Sequence, residues 1–380
     1  MFGFDFFKVK NEFKVSHLHG LDTLRAAAIC LGLLWHFMQI NANSPLLLSL
    51  LSTGPWGGAN PLFIVSGYLL GNQILSRLVD GKNVSVIKFY FRRALKTWPS
   101  YLVLVGLVFM MPYFYRDSLF PPFWKFLTFT QNFNLNNSFL SHTWSLCIEE
   151  HFYLVLPFLA LHFLRNSKVK SIAIAVVALL MTSLILRGYI WIADVESAGL
   201  EKFRNYFNRI YYPTYTRTDG LVMGVFLAYL QSYAPVFWKK LVSQGNRFFY
   251  AGVVLCSFGF LLQTHRTQLF ATLAVFPLIN SGYGFLLMAA LTKECLFSRI
   301  KIPGASSIAT LSYALYLVHR PAYHFLEPWL EDLAFGVPLR LLISVSLGFT
   351  LSFLTAYLLY LFVERPFLIL RDRAIPTIEN

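Results

Sequence analysis

Charged residues are scarce in this sequence. They make up 13% of its 380 residues, whereas hydrophobic residues make up 56% and the mean hydropathy is +0.56. A soluble globular protein of this length needs more polar side chains to cover its surface, so the composition excludes that class. We therefore predict an integral membrane protein.

Cysteine is also rare, and the four cysteines predict neither a disulfide framework nor a metal site. Cys30, Cys147, Cys256 and Cys295 lie in or beside apolar stretches at unrelated spacings. The sequence contains no internal repeat and no long polar linker, and its first 20 residues lack the pattern of a removable signal peptide. We expect any chemistry to use residues within the apolar stretches or at their ends.

Apolar stretches of about 20 residues predict an all-α protein with ten transmembrane helices. The predicted spans are residues 21–40, 56–76, 97–115, 142–163, 170–192, 215–232, 248–264, 268–291, 305–326 and 338–362. We expect a cytoplasmic N-terminal segment at 1–20, a membrane domain at 21–363 and a cytoplasmic tail at 364–380.

Basic residues outnumber acidic residues by 32 to 18, which gives a net charge of +14. With the N-terminus in the cytoplasm, 21 of the Lys and Arg residues fall in inner segments and 7 in outer loops. Because cytoplasmic loops carry the excess of Lys and Arg, this asymmetry predicts that both termini are cytoplasmic. The charge therefore reflects orientation and attraction to anionic lipid headgroups, and it does not favour nucleic acid binding.

Several ionisable residues fall inside the predicted spans, where a charge costs about 2.5–3.5 kcal/mol on insertion scales. Four spans bring such residues to their outer ends, namely His36, His142, Glu149, Glu150, Arg217, Asp219 and His319. Residues of this kind usually face the interior of a helix bundle or a wet cavity. The sequence therefore predicts one polar layer near the outer face.

A second polar group lies near the cytoplasmic ends of the spans. Arg92 and Lys96 fall on one helical face with Arg93 adjacent, and Arg25 begins the first span. Cations at this spacing suit a phosphorylated ligand, because Arg can form two parallel hydrogen bonds to its oxygens. The structural alternatives are that Arg25 only sets the depth of its helix and that the other three only anchor the chain on the inner side.

Arg25 and His36 are eleven positions apart in the first span. At about 100° and 1.5 Å per residue, this separation is three turns plus about 20°, or about 16 Å along the axis. The two side chains should therefore lie on the same face of one helix.

Seven short motifs, taken in order, resemble the acyltransferase-3 family of membrane acyltransferases. They are Arg25 and His36 with ten residues between them, FIVSGYLL at 63–70, RRALK at 92–96, TWSLCIEEHFY at 143–153, TRTDGLVMG at 216–224, SYALYLVH at 312–319 and VERP at 363–366. The resemblance implies transfer of an acyl group, usually acetyl from cytosolic acetyl-CoA, to a hydroxyl of a carbohydrate. It also implies dependence on Arg25, His36 and the paired Glu149 and Glu150. Lys96, His151 and Arg320 depart from the usual pattern and leave the acceptor open.

A sugar hydroxyl is a weak nucleophile at neutral pH, so a general base must remove its proton during attack on a thioester. We assign this role to His36, with Glu150 or Glu149 holding its tautomer, as in hydrolase triads. A histidyl-acyl intermediate and a purely structural histidine are the alternatives. The two glutamates are consecutive, so they point about 100° apart and should contact different groups.

The remaining site residues fall into two sets. We expect Ser66 and Tyr68 to line the tunnel of the acyl-CoA donor together with Arg25, Arg92, Arg93 and Lys96. We expect His142, Trp144, Arg217, Asp219 and His319 to form an outer layer or acceptor site. Within it, Arg217 and Asp219 either form an ion pair or belong to the acceptor site.

The expected partners are acyl-CoA, a carbohydrate or lipid-linked glycan acceptor and membrane lipids, with no metal. We expect the protein in the bacterial inner membrane. The alternative function is a proton-coupled transporter or exporter, since buried ionisable residues in ten spans are also typical of carriers. The absence of detectable inverted repeats and of paired broken helices argues against it.

Overall fold

The computed structural model describes residues 19–40, 59–111, 120–135, 140–166, 169–292, 295–331 and 337–375. The predicted N-terminal segment 1–20 therefore lies almost entirely outside the described residues, and the predicted tail 364–380 lies partly outside them.

Helices account for most of the described chain. Among the described residues, the twelve helices of eight or more residues are α1 (His19–Ile40), α2 (Ala59–Val79), α3 (Val86–Met110), α4 (Trp144–Asn166), α5 (Val169–Ile190), α6 (Asp219–Tyr233), α7 (Pro235–Val242), α8 (Gly245–Gln263), α9 (Leu269–Leu291), α10 (Ala305–Glu331), α11 (Val337–Leu359) and α12 (Arg365–Ala374). Shorter α-helical pieces are Phe123–Leu127, Lys202–Tyr206 and Leu296–Arg299, and short 3₁₀ turns are Ser141–Thr143, Gly199–Glu201 and Thr214–Thr216. Because the described residues contain no strand, the prediction of an all-α protein is confirmed.

Within the described residues, each of the ten predicted spans overlaps one of the longer helices, but fewer helices are apolar enough to cross a membrane. Among the described residues, six helices meet that requirement, or up to seven if α6 and α7 form one span bent by 114°. The helices of 18 or more residues outside this set are α1, α3 and α10, which carry many of the polar residues of the candidate site. The count of ten crossings and the cytoplasmic termini stay predictions.

Two glycines allow α2 and α6 to pack backbone against backbone. A Cβ atom on Gly67 would lie 2.2 Å from the carbonyl oxygen of Leu221, and one on Gly224 would lie 2.2 Å from that of Ile64. No larger residue fits at such a distance, which is the usual reason for small residues between membrane helices. This contact explains the glycines of the FIVSGYLL and TRTDGLVMG motifs, and it fixes the position of the neighbouring Ser66.

Helices α1 and α10 run side by side in the same direction. Arg25 donates to Ser312 Oγ at 3.1 Å near one end of the contact, and the ring of His36 lies 5.1 Å from that of His319 near the other. Between these contacts the two helices share one apolar cluster that includes Ile29, Leu33, Ala314, Leu315 and Leu317. Arg25 and His36 therefore lie on the same face of α1, as the spacing predicts.

Three π-helical segments interrupt the regular helices, at Trp191–Val195, Phe207–Tyr211 and Tyr360–Glu364. The last of them joins α11 to α12 without a break in the helical path. The predicted domain boundary at residue 364 therefore falls inside a continuous helical stretch, and π-helical turns of this kind are frequent near functional sites.

Candidate active site

A cavity of about 120 Å³ lies among five helices. Its polar lining comes from α1 (Arg25), α2 (Ser66), α3 (Arg93, Lys96, Thr97), α4 (Ser145, Glu149) and α10 (Ser312, Tyr313, Tyr316). Three cations and one carboxylate give this lining a net positive charge, which suits an anionic ligand.

The basic residues of α3 separate into two groups. Arg93 and Lys96 line the cavity, and the guanidinium carbon of Arg93 also lies 4.3 Å from the centre of the Tyr153 ring. Arg92 is buried and donates instead to the carbonyl of Ile375 and, at 3.4 Å, to Asp372. The prediction that Arg92 belongs with Lys96 at the donor site is therefore corrected, because Arg92 ties α3 to the C-terminal helix.

Glu149 and Glu150 contact different groups, as their 100° separation predicts. Glu149 lines the cavity and accepts hydrogen bonds from Ser66 at 3.2 Å and from Tyr153 at 2.7 Å. Glu150 accepts from two residues of α3, Thr97 Oγ1 at 3.0 Å and Trp98 Nε1 at 3.1 Å.

The glutamates lie deeper than the sequence predicts. We expected them in one layer with His142, but seven residues separate His142 from Glu149, which is about 10 Å along the helix. Glu149 consequently lies beside the cations of the cavity, and the prediction that it belongs to the outer histidine layer is corrected.

Ser145 and Tyr316 connect the cavity to that histidine layer. Both residues line the cavity, and their hydroxyl oxygens are 2.9 Å apart. The Tyr316 hydroxyl donates to the backbone carbonyl of His142 at 2.7 Å, and the two rings are 5.5 Å apart. The cavity therefore reaches to within about one helical turn of His142 and His319.

Three histidines from three helical segments form a cluster at this level. The His319 ring lies 5.1 Å from the half-buried ring of His36 and 5.0 Å from that of His142. His142 and His319 are both buried, at 3% and 2% exposure. The structure therefore brings together three of the predicted site residues that are far apart in the chain.

Backbone carbonyls fix the tautomers of the two buried histidines. His142 Nε2 is 3.0 Å from the carbonyl oxygen of Leu317, and His319 Nδ1 is 3.0 Å from that of Leu315. Since a carbonyl oxygen only accepts, these nitrogens carry the protons, and His142 Nδ1 and His319 Nε2 present lone pairs. Within the described part of the chain, neither lone pair has a hydrogen-bond partner.

The ion pair predicted between Arg217 and Asp219 is wrong. Asp219 pairs with Arg187 of α5 at 2.8 Å, whereas Arg217 donates to Asn60 at 2.6 Å. The Arg217 guanidinium also lies among three aromatic rings, 5.3 Å from Trp144, 4.6 Å from Tyr211 and 4.1 Å from Phe276. Arg217 and Asp219 are both buried and neither lines the described cavity, so they join helices instead.

The two residues predicted from FIVSGYLL to line the donor tunnel have different surroundings. Ser66 lines the cavity. Tyr68 is fully buried and donates to Gln231 at 2.5 Å on α6, so its predicted place at the cavity is corrected. Two positions further along α2, the helix has turned by about 200°, which takes Tyr68 to the opposite side.

Five polar residues of the cavity were not selected from the sequence, namely Thr97, Ser145, Ser312, Tyr313 and Tyr316. They are common residue types, and single polar residues in apolar helices usually satisfy local hydrogen bonds. Their only sequence signal is that each lies inside one of the motifs or directly beside one. In the described chain, no group of three His, Cys, Asp or Glu side chains is arranged to hold a metal ion.

This arrangement can hold an anionic ligand in the cavity and present an imidazole beyond its end.

Residues 18–361 match the sequence profile of the acyltransferase-3 family, which describes an acyltransferase domain. The chain is similar to the O-acetyltransferase OatA of Staphylococcus aureus (strain NCTC 8325 / PS 47), with 25% identity over 95% of this chain and 59% of that protein.

A second Staphylococcus aureus protein (strain COL), provisionally named an O-acetyltransferase, is 26% identical over 93% of this chain and 58% of its own length. The chain thus spans less than two thirds of the length of these relatives. No solved structure matches it. Because one family profile covers nearly the whole chain, the protein belongs to the acyltransferase-3 family.

Proposed function

We propose that the protein is a membrane O-acetyltransferase that moves an acetyl group from cytosolic acetyl-CoA to a hydroxyl of a cell-surface carbohydrate, such as an O-antigen or another glycan. We place it in a bacterial inner membrane. The observation that carries the proposal is the cavity lined by Arg25, Arg93 and Lys96, which ends about one turn from the histidine cluster. The names of the relatives support the same reaction.

The donor occupies the cavity in this proposal. Arg93 and Lys96 contact the phosphates of CoA, because guanidinium and ammonium groups form charge-assisted hydrogen bonds to phosphate oxygens. Arg25, held by Ser312, contacts the donor further along, and the thioester lies toward Ser145 and Tyr316. The distance of about 16 Å between Arg25 and His36 along the helix then corresponds to the length of the extended arm of CoA.

His36 acts as the general base. As the acceptor oxygen attacks the thioester carbonyl carbon, a C–O bond forms and the hydroxyl proton moves to a nitrogen of His36. When the tetrahedral intermediate collapses, the C–S bond breaks, and the thiolate of CoA takes the proton back from the imidazolium. The products are the acetylated carbohydrate and CoA, and His36 returns to its neutral form.

The role of Glu149 follows from its contacts. Ser66 and Tyr153 hold its carboxylate in the wall of the cavity, where it interacts electrostatically with Arg93. Glu149 therefore supplies the counter-charge that keeps Arg93 in the cavity. Glu150 supports the site from outside through its hydrogen bonds to α3.

The experiment uses the full chain in liposomes, with acetyl-labelled acetyl-CoA and a glycan acceptor. We expect wild-type protein to label the acceptor and release CoA, and His36→Ala to lose at least about 100-fold in rate, the usual contribution of a general base. His265→Ala, which alters an exposed histidine, is the matched control. Full transfer by His36→Ala would remove His36 as the base. Glycan flux without CoA release would indicate a transporter instead.

A further inference from the structure

The histidine cluster contains two buried acceptors that no residue of the described chain satisfies. His142 and His319 each donate their N–H group to a backbone carbonyl. The remaining lone pairs, on Nδ1 of His142 and Nε2 of His319, have no hydrogen-bond partner in the described chain. A buried acceptor left unpaired costs about 1–3 kcal/mol, so most native acceptors are paired. Two such atoms beside a candidate base require an explanation.

His36 supplies the missing donor for His319. A neutral imidazole that serves as a base with one nitrogen must place the N–H of its other nitrogen on an acceptor, or its tautomer is not fixed. The carboxylates that we first considered for this role accept hydrogen bonds from Ser66, Tyr153, Thr97 and Trp98. The ring of His319 lies 5.1 Å from that of His36.

The distance between the two rings fits this contact. An N–H···N hydrogen bond of about 3 Å between two imidazoles places the ring centres about 5 Å apart. The observed separation of His36 and His319 is 5.1 Å, with 43° between the ring planes. The ring-centre distance therefore suits a hydrogen bond from His36 to the lone pair of His319, whose ring the backbone holds in place.

We propose that His319 is the positioning residue of the general base. Its Nε2 lone pair accepts the N–H of His36, fixes the tautomer of His36 and stabilises the imidazolium that forms when His36 takes the proton of the acceptor hydroxyl. His142 supports the His319 ring at 5.0 Å from the other side. The inference rests on the proposed function only in taking His36 as the base.

The contact is tested without any substrate by solid-state NMR on liposomes that contain protein with ¹⁵N-labelled histidine. At about pH 8, where an ordinary imidazole is neutral, we expect one tautomer for His36 and a coupling across the hydrogen bond to His319 Nε2. In His319→Leu we expect the two His36 nitrogen signals to average. In His319→Gln, which keeps an acceptor at the end of the side chain, we expect one tautomer again.

The kinetic test separates positioning from folding. We expect His319→Leu to lower kcat about 100-fold while the donor KM changes less than about threefold, and we expect His319→Gln to recover to within about tenfold of wild type. His324→Leu is the control, because His324 lies five residues further along α10 and pairs with Glu327 at 2.9 Å. It should change neither kcat nor the His36 signals.

Two results would overturn the proposal. One is a wild-type spectrum with no coupling between His36 and His319, which needs no variant and so does not depend on folding. The other is a folded His319→Leu variant with wild-type kcat. If the coupling is present but wild-type protein transfers no acetyl group, the proposed function fails and the His36 to His319 contact stands.

Discussion

Arg187 and Asp219 form a buried ion pair, with Nη2 of Arg187 2.8 Å from Oδ2 of Asp219 and side-chain exposures of 1% and 6%. Asp219 is the first residue of α6, and Arg187 lies in the last turn of α5. The pair therefore ties the end of one helix to the start of the other. Removal of one partner leaves a charge buried without compensation, which usually destabilises a protein by about 3–5 kcal/mol.

We accordingly expect Asp219→Asn and Arg187→Met each to lower the unfolding temperature of the purified protein strongly. The double variant Arg187→Met/Asp219→Leu should recover most of the loss, because it removes both charges. Thermal unfolding in detergent, followed by circular dichroism, measures the effect. Single variants as stable as wild type would show that the pair contributes little.

The basic residues of α3 have different contacts, and this difference gives a prediction for donor binding. We expect Arg93→Ala and Lys96→Ala each to raise the KM for acetyl-CoA about tenfold with a smaller effect on kcat, because both residues line the cavity. Arg92→Ala is the matched control, since Arg92 contacts Asp372 and Ile375 instead. It should leave the donor KM unchanged and weaken the attachment of α12. A raised KM in Arg92→Ala alone would contradict this assignment.

The paired glutamates should also separate in kinetics. We expect Glu149→Gln to raise the donor KM about tenfold, since the change removes the counter-charge of Arg93 from the cavity wall. Glu150→Gln should leave the donor KM unchanged and lower stability by about 1–2 kcal/mol, because one of its hydrogen bonds to α3 weakens. A large loss of kcat in Glu149→Gln at unchanged KM would instead favour a direct role in orienting His36.

The contact of α2 with α6 predicts a strict size limit at one position. We expect Gly67→Ala to destabilise the protein by about 1–3 kcal/mol, because the added Cβ would lie 2.2 Å from a backbone oxygen that cannot move alone. Gly106→Ala on α3 is the control, as no atom lies within 4 Å of the added group. Since Ala favours helices over Gly, this control should be neutral or slightly stabilising. Equal stability of the two variants would contradict the close approach.

The helical period predicts those features of the site that lie within one helix. It places Arg25 and His36 on one face of α1, and both side chains contact α10. It also separates Glu149 from Glu150, which contact different groups. Hydropathy identifies the positions of the long helices, because burial in lipid requires about 20 apolar residues.

The helical period cannot predict which neighbouring helix packs against a given face of a helix. Asp219 has Arg217 as its nearest cation in the chain, yet it pairs with Arg187, 32 residues away. Arg92 likewise finds Asp372 at the far end of the sequence. These partners depend on how the helices pack, and one amphipathic pattern is compatible with several neighbours. The depth of Glu149 differs from the prediction for a simpler reason, since about two turns of helix separate Glu149 from His142.

The parallel contact of α1 with α10 limits the insertions and deletions that the sequence can accept in these two helices. Arg25 contacts Ser312 and His36 contacts His319, so each helix is attached to the other at two points. Insertion or deletion of one residue between these points would rotate one end by about 100° relative to the other and break one of the two contacts. The numbers of residues within 26–35 and 313–318 are therefore fixed by the requirement that both contacts form.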